Sequence, residues 1–177
     1  MHTTLKRMTF LVAFALICVL VTAVPALAAP PGPTIVDVAI AVNSEGDYAG
    51  YFDTLIAGVL AADPAVLETL SGNGQYTVFA PTDDAFAALD LDESNIAELD
   101  QGFLTEVLLY HVAHGRRYAE SVVESDRIRT LSKDFLYQDG GVLTDNLGRE
   151  ATIIVTDVEA ANGIIHVIDT VVLPYAP

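Results

Sequence analysis

The chain has 177 residues, enough for one domain with a sizeable core and too few for two of ordinary size. Acidic residues outnumber basic ones 24 to 8, giving a formal net charge of −16 at pH 7, and a surface so acidic repels phosphate backbones and argues against nucleic acid as a partner. The single cysteine, Cys18, leaves no pair for an internal disulfide and no set for a thiolate metal site.

Residues 1–28 read as a secretory signal peptide: Lys6 and Arg7, an apolar run from Met8 to Val21, and the small-residue end Ala26-Leu27-Ala28, after which cleavage is expected. The apolar run is shorter than the roughly 20 residues of a membrane-spanning helix, so no transmembrane anchor is expected once it is removed. Ile17, where a lipid-attachment signal wants a small residue, argues against lipidation of Cys18. Loss of Lys6 and Arg7 leaves six basic against 24 acidic residues, a mature charge of −18 that keeps an exported protein soluble.

Residues 29–33, APPGP, form a proline-rich linker, and the folded domain is expected over 34–174 with a tail at 175–177. Thr34 is placed to cap a helix carrying Ile35, Val38 and Val42, with Asp37 in its first turns and NSEGD ending it. Phe52, Leu55, Ile56, Val59 and Leu60 give the most regular helical stripe in the chain, which predicts a second helix with one buried face. Asp63-Pro64 and SGNG bracket a third, short helical piece.

Tyr76 to Ala80 is rich in β-branched and aromatic residues and predicts a strand; Pro81 ends its donor row, Thr82 is placed as an N-cap, and Asp83 and Asp84 follow in the first turn of a helix carrying Phe86 and Leu89. From Ser94 to Val112 two helical pieces are expected to meet near Gly102, the second with Leu104, Val107, Leu108 and His111 facing the core. His114, beside Gly115, reads as a solvated turn residue. From Gly115 onward the texture is that of strands: RIRTL, FLYQ, GVLTD, ATIIVTDV and GIIHVIDTVVL. Asn162-Gly163 suits a two-residue turn with positive φ at both positions, pairing Ile153–Val158 with Ile164–Leu173, directly or after a short irregular stretch. The last strand is apolar on both faces and belongs in the middle of the fold. Helices first and strands later predict an α+β domain.

Three segments then carry a family resemblance. TVFAPTDDAFAAL resembles the first signature of fasciclin-like (FAS1) domains, LLYHV their central Tyr-His motif, and NGIIHVIDTVVLP their second signature, in the family's order and at about its spacing. The structural motif comprises Thr77, Phe79, Pro81, Thr82, Asp83 and Phe86 in the first segment and Asn162, Gly163, His166 and Asp169 in the last. The resemblance implies a wedge of about seven strands in two sheets flanked by N-terminal and central helices. It also implies an exported, non-enzymatic adhesion or interaction module whose partner is an extracellular protein, a carbohydrate matrix or a cell-surface component. Tyr110 and His111 match the pair implicated in receptor binding in animal members. Asp157-Val158 stands where some animal members carry an Asp-Ile integrin-binding dipeptide, here with Val second and no preceding proline. Where many members have glycine after the TL of the middle strands, this chain has Ser132-Lys133.

His111-x-x-His114 with His166 and Asp169 offers metal-ligating types, but His111 falls on an apolar stripe and His166 inside a buried strand, where a neutral, hydrogen-bonded imidazole is the commoner outcome; no metal or other cofactor is expected. DLDESN mimics the start of a calcium loop, yet Asn95 replaces the required glycine and Gln101 the bidentate glutamate, which excludes an EF-hand and leaves a looser calcium site open. Asp83 and Asp84 diverge around a helix axis, and no G-x-S-x-G motif is present, so no enzyme is expected. Two alternatives to adhesion stay open: a small-ligand-binding domain with a pocket between helices and sheet, and a purely structural envelope component.

Overall fold

The computed structural model describes residues 30–176; residues 1–28, expected from the sequence to be a signal peptide, lie outside the described residues. Three helices open the domain: α1 (Ile35–Ser44), α2 (Asp53–Ala61) and α3 (Pro64–Ser71). Thr34 caps α1 through a reciprocal pair, its Oγ1 accepting from the Asp37 N–H while Asp37 accepts from the Thr34 N–H at 2.8 Å. Asp63 caps α3 at the Ala65 N–H, 2.8 Å, with Pro64 in the first helical position where its missing donor costs nothing.

The α2 stripe turns out to serve two surfaces. Phe52 and Leu55 enter the core with Thr54 and Gly58, Ile56 and Val59 are half-buried, and Leu60 is 68% exposed.

Strand β1 (Tyr76–Pro81) runs into α4 (Asp83–Ala87), and a 3-10 turn at Ile96–Glu98 leads to α5 (Gln101–Tyr110). The break between the last two falls at Asp100, not Gly102, because the Asp100 carboxylate accepts from the Phe103 N–H and so starts α5 there. The remainder alternates short elements: β2 (Val112–His114), α6 (Ala119–Val123), β3 (Arg127–Arg129), β4 (Phe135–Asp139), β5 (Val142–Thr144), β6 (Glu150–Ala160) and β7 (Gly163–Ile168). Sequence reading missed β2 and α6, and His114 is an exposed strand residue opposite Tyr76 instead of part of a turn.

The seven strands form one ribbon in the order β2-β1-β7-β6-β5-β4-β3. It folds into two sheets because β6 is long enough to serve both: its first half pairs with β5, its second half with β7, and register shifts between Ile153 and Val158 make the bend. A bridge between Ala113 and Thr130 and the Leu131 N–H donating to the Val112 carbonyl bring the far ends of the ribbon together. As its apolar faces require, β7 is central, parallel to β1 and antiparallel to β6.

Alternation along the central strands separates two cores. Val78, Ala80, Ile165 and Val167 face the helices together with Phe86, Leu104 and Leu108; Phe79, Ile168 and Val172 face the inside of the folded ribbon with Tyr110, Ile128, Leu136 and Leu143. Phe79 and Phe86, neighbours in the first signature, therefore lie in different cores. β7 ends at Ile168, before Leu173, yet the same alternation continues past it: Val171 and Leu173 fall on the helix side and Val172 on the other.

Candidate functional site

The signature residues converge on the junction of the two cores, where each polar side chain has an assigned partner. Thr77 is fully buried; its hydroxyl donates to the Gly115 carbonyl at 2.7 Å and accepts from the Arg117 N–H at 2.8 Å, tying β1 to the segment after β2. Pro81 pairs in register with Ile168, and Thr82 follows, its N–H donating to the Ile168 carbonyl and its Oγ1 accepting from the Ala85 N–H at 3.4 Å. Asp83 does something the sequence did not suggest. Its carboxylate accepts from the backbone N–H groups of Asp53 (3.2 Å) and Thr54 (2.9 Å), capping the start of α2, whose own N-cap, Phe52, has no side chain for the purpose.

Asn162 is fully buried and works as a three-way staple. Its Oδ1 accepts from the Ile35 N–H, and its Nδ2 donates to the carbonyls of Leu70 and Gly72, so the β6–β7 turn clamps the start of α1 and the end of α3. The turn itself is Ala161-Asn162, one residue earlier than expected, with Ala160 paired to Gly163, and neither Asn162 nor Gly163 has positive φ. Gly163 is required for closeness: a Cβ there would meet the Tyr76 carbonyl oxygen and come within 2.5 Å of Ile35 Cδ1. Asp169 closes the other end of the hairpin, accepting from the Thr152 N–H at 2.7 Å.

Tyr110 and His111, partner contacts by resemblance, are 0% and 3% exposed. The Tyr110 hydroxyl donates to the Phe135 carbonyl at 2.8 Å, joining α5 to β4, and burial pushes its pKa up. His111 ends α5. Its Nδ1 donates to the Val107 carbonyl at 2.7 Å and its Nε2 accepts from the Val172 N–H at 3.2 Å, which fixes the neutral Nδ1–H tautomer. Burial lowers its pKa to about 4.

His166 mirrors this arrangement with the opposite tautomer. Nε2 donates to the Arg117 carbonyl at 2.8 Å, Nδ1 accepts from the Asp157 N–H, and the ring stacks on Phe79; burial is again the largest cause of a lowered pKa. Asp157 sits at a bulge of β6 with φ of 60°, and its carboxylate accepts from the Ala119 N–H at 2.8 Å. It thereby caps α6, whose N-cap, Tyr118, supplies no side-chain bond. Val158 is half-buried against the helix-side core.

Both imidazoles thus have both nitrogens occupied, and among the described residues no three His, Cys, Asp or Glu side chains converge as a metal site. The DLDESN loop satisfies itself: Asp92 Oδ1 accepts from the Ser94 N–H, the Ser94 hydroxyl and the Asn95 N–H. A polar centre that the sequence reading missed is Asp145, buried in the β5–β6 turn. It bridges Arg149 at 2.8 Å and accepts from the N–H groups of Leu147, Arg149 and Leu173; these bonds and the guanidinium outweigh burial and lower its pKa. The Asp-x-x-x-Arg spacing was the available signal.

A profile of the Fasciclin domain matches residues 50–174. Protein sll1483 of Synechocystis sp. is 44% identical over 128 residues, covering 70% of this chain and 67% of that protein, and the Synechocystis protein sll1735 is 38% identical over 146 residues, covering 80% and 98%. Among solved structures, a FAS1 domain pair from the insect cell adhesion molecule Fasciclin I superposes with a TM-score of 0.53 at 24% identity, over 65% of this chain and 42% of that one, a likeness of fold. From profile, relatives and architecture together, the chain belongs to the fasciclin-domain family.

Proposed function

We propose that the chain is a secreted, non-enzymatic interaction module that attaches to a cell surface or extracellular matrix through its outer surface. The observation that carries this reading is the pairing of the buried signature residues: Thr77, Thr82, His111, Asn162 and His166 are buried with their side chains hydrogen-bonded to backbone, so none of these five presents a free reacting group to a substrate. Family membership and the adhesion role of the insect protein that shares the fold support it. Within this reading Tyr110 and His111 act through the fold. Asp157 and Val158 set the bulge that fixes α6, beside which Tyr118 is exposed and donates to Glu159.

The test is a titration of the purified chain onto immobilised cell-surface and matrix fractions. Saturable binding is expected, reduced several-fold by Asp157→Ala and retained by Asp157→Asn, which still accepts from Ala119. Absence of saturable binding to every fraction refutes the module; full binding by Asp157→Ala refutes the part given to the bulge.

A further inference from the structure

Helices α1 and α2 both pack on α3, and Asn43 near the end of α1 ties it to the start of α2, accepting from the Phe52 N–H at 2.8 Å and donating to the Asp53 carboxylate at 2.7 Å. The gap between them opens onto a cavity of about 120 Å³ floored by β1 and β7. Val36 and Ile40 on α1 face Ile56 and Leu60 on α2, with Leu67 on α3 at the side and His111 at the bottom. Ile40 and Leu60, at the mouth, are 47% and 68% exposed.

We propose that this cleft binds an uncharged, hydrocarbon-rich small molecule, which inserts one ring or a short alkyl portion into the cavity and lays the remainder between Ile40 and Leu60. Size sets the inserted portion: an apolar cavity of roughly 150 Å³ stays dry and accommodates benzene, and this one is slightly smaller and open at one end. The lining sets the chemistry. Aliphatic side chains dominate it, and the ring nitrogens of His111 are both committed, to the Val107 carbonyl and the Val172 N–H, so a polar group entering here loses water without gaining a partner. Charge sets the class, because a chain of net charge −16 repels a fatty-acid anion and leaves a neutral molecule unaffected. Ile40 and Leu60, which both line the cavity and are both exposed, extend the apolar track beyond it, which a ligand longer than the cavity uses. A second cavity, of about 340 Å³ beneath Leu147, is a weaker candidate for such a ligand because charged Arg149 lines it.

The experiment titrates the purified full chain with N-phenyl-1-naphthylamine, an uncharged fluorophore, and follows emission. Saturable binding at one site is expected, displaced by 1-decanol at least tenfold more effectively than by decanoate. Leu60→Asp and Ile40→Asp, both surface changes at the mouth, are expected to weaken binding tenfold or more at unchanged melting temperature. Ala39→Phe, which fills the cavity from α1, is expected to abolish it, while Leu147→Asp leaves it intact. Non-saturable or absent emission overturns the proposal, as does binding that survives both mouth variants or is lost with Leu147→Asp. Equal displacement by decanoate overturns the assignment to uncharged ligands.

Discussion

Three single residues expose what the local sequence does and does not encode. Asp83 follows the Thr82 cap in the chain, yet its carboxylate serves α2, thirty residues earlier, through two good hydrogen bonds, whereas the bond from Ala85 to Thr82 is long at 3.4 Å. Asp83→Ala is therefore expected to cost about 1–2 kcal/mol and Thr82→Ala about 1 kcal/mol or less, measured by urea unfolding. The reverse order contradicts the assignment of the cap. Gly163→Ala forces a methyl group against the Tyr76 carbonyl and Ile35, and a loss of about 2–3 kcal/mol is expected. A change below 0.5 kcal/mol, on the order of a neutral surface substitution, is the contrary result. Lys133 has φ of 79°, in the left-handed region that favours glycine. Lys133→Gly relieves a left-handed side-chain-bearing residue and is expected to stabilise by up to about 1 kcal/mol, less the entropy glycine gains when unfolded; a lower melting temperature speaks against it.

At the scale of elements, legibility followed length and capping. Helix α1 could be read because Thr34, Asp37 and the apolar spacing agree, and β7 because six successive residues are buried. The two missed elements are short and have no local signal: β2 has three residues, and α6 has five, with its cap supplied by Asp157 from a distant strand. The turn before Gly163 was displaced by one residue because Asn-Gly was read for its backbone freedom. In the fold Asn162 is selected for three hydrogen bonds to α1 and α3, and Gly163 for lack of bulk. Local grammar names a turn; tertiary contacts choose its register.

Across the whole molecule, the family could be read because the signature residues occupy the junction of the two cores, where sequence is most constrained. The same placement takes Tyr110 and His111 off the surface, which no pattern in one dimension reveals. It also makes folding acid-sensitive. An unfolded histidine titrates near pH 6.5, while His111 stays neutral in the fold down to about pH 4. Between these values the unfolded chain binds a proton the native chain refuses, so His111 favours folding fully above pH 6.5 and progressively less as pH falls. His166 shifts in the same direction. A loss of about 2 kcal/mol between pH 6.5 and 5, above most carboxylate titration, is expected in the urea midpoint, and a level profile there contradicts it.

The most direct test of a paired, chemically closed interior is long-range proton–nitrogen NMR of the imidazole rings at pH 6. The structure predicts His111 as the neutral Nδ1–H tautomer and His166 as the neutral Nε2–H tautomer. A charged ring at either position, or the opposite tautomer, contradicts it.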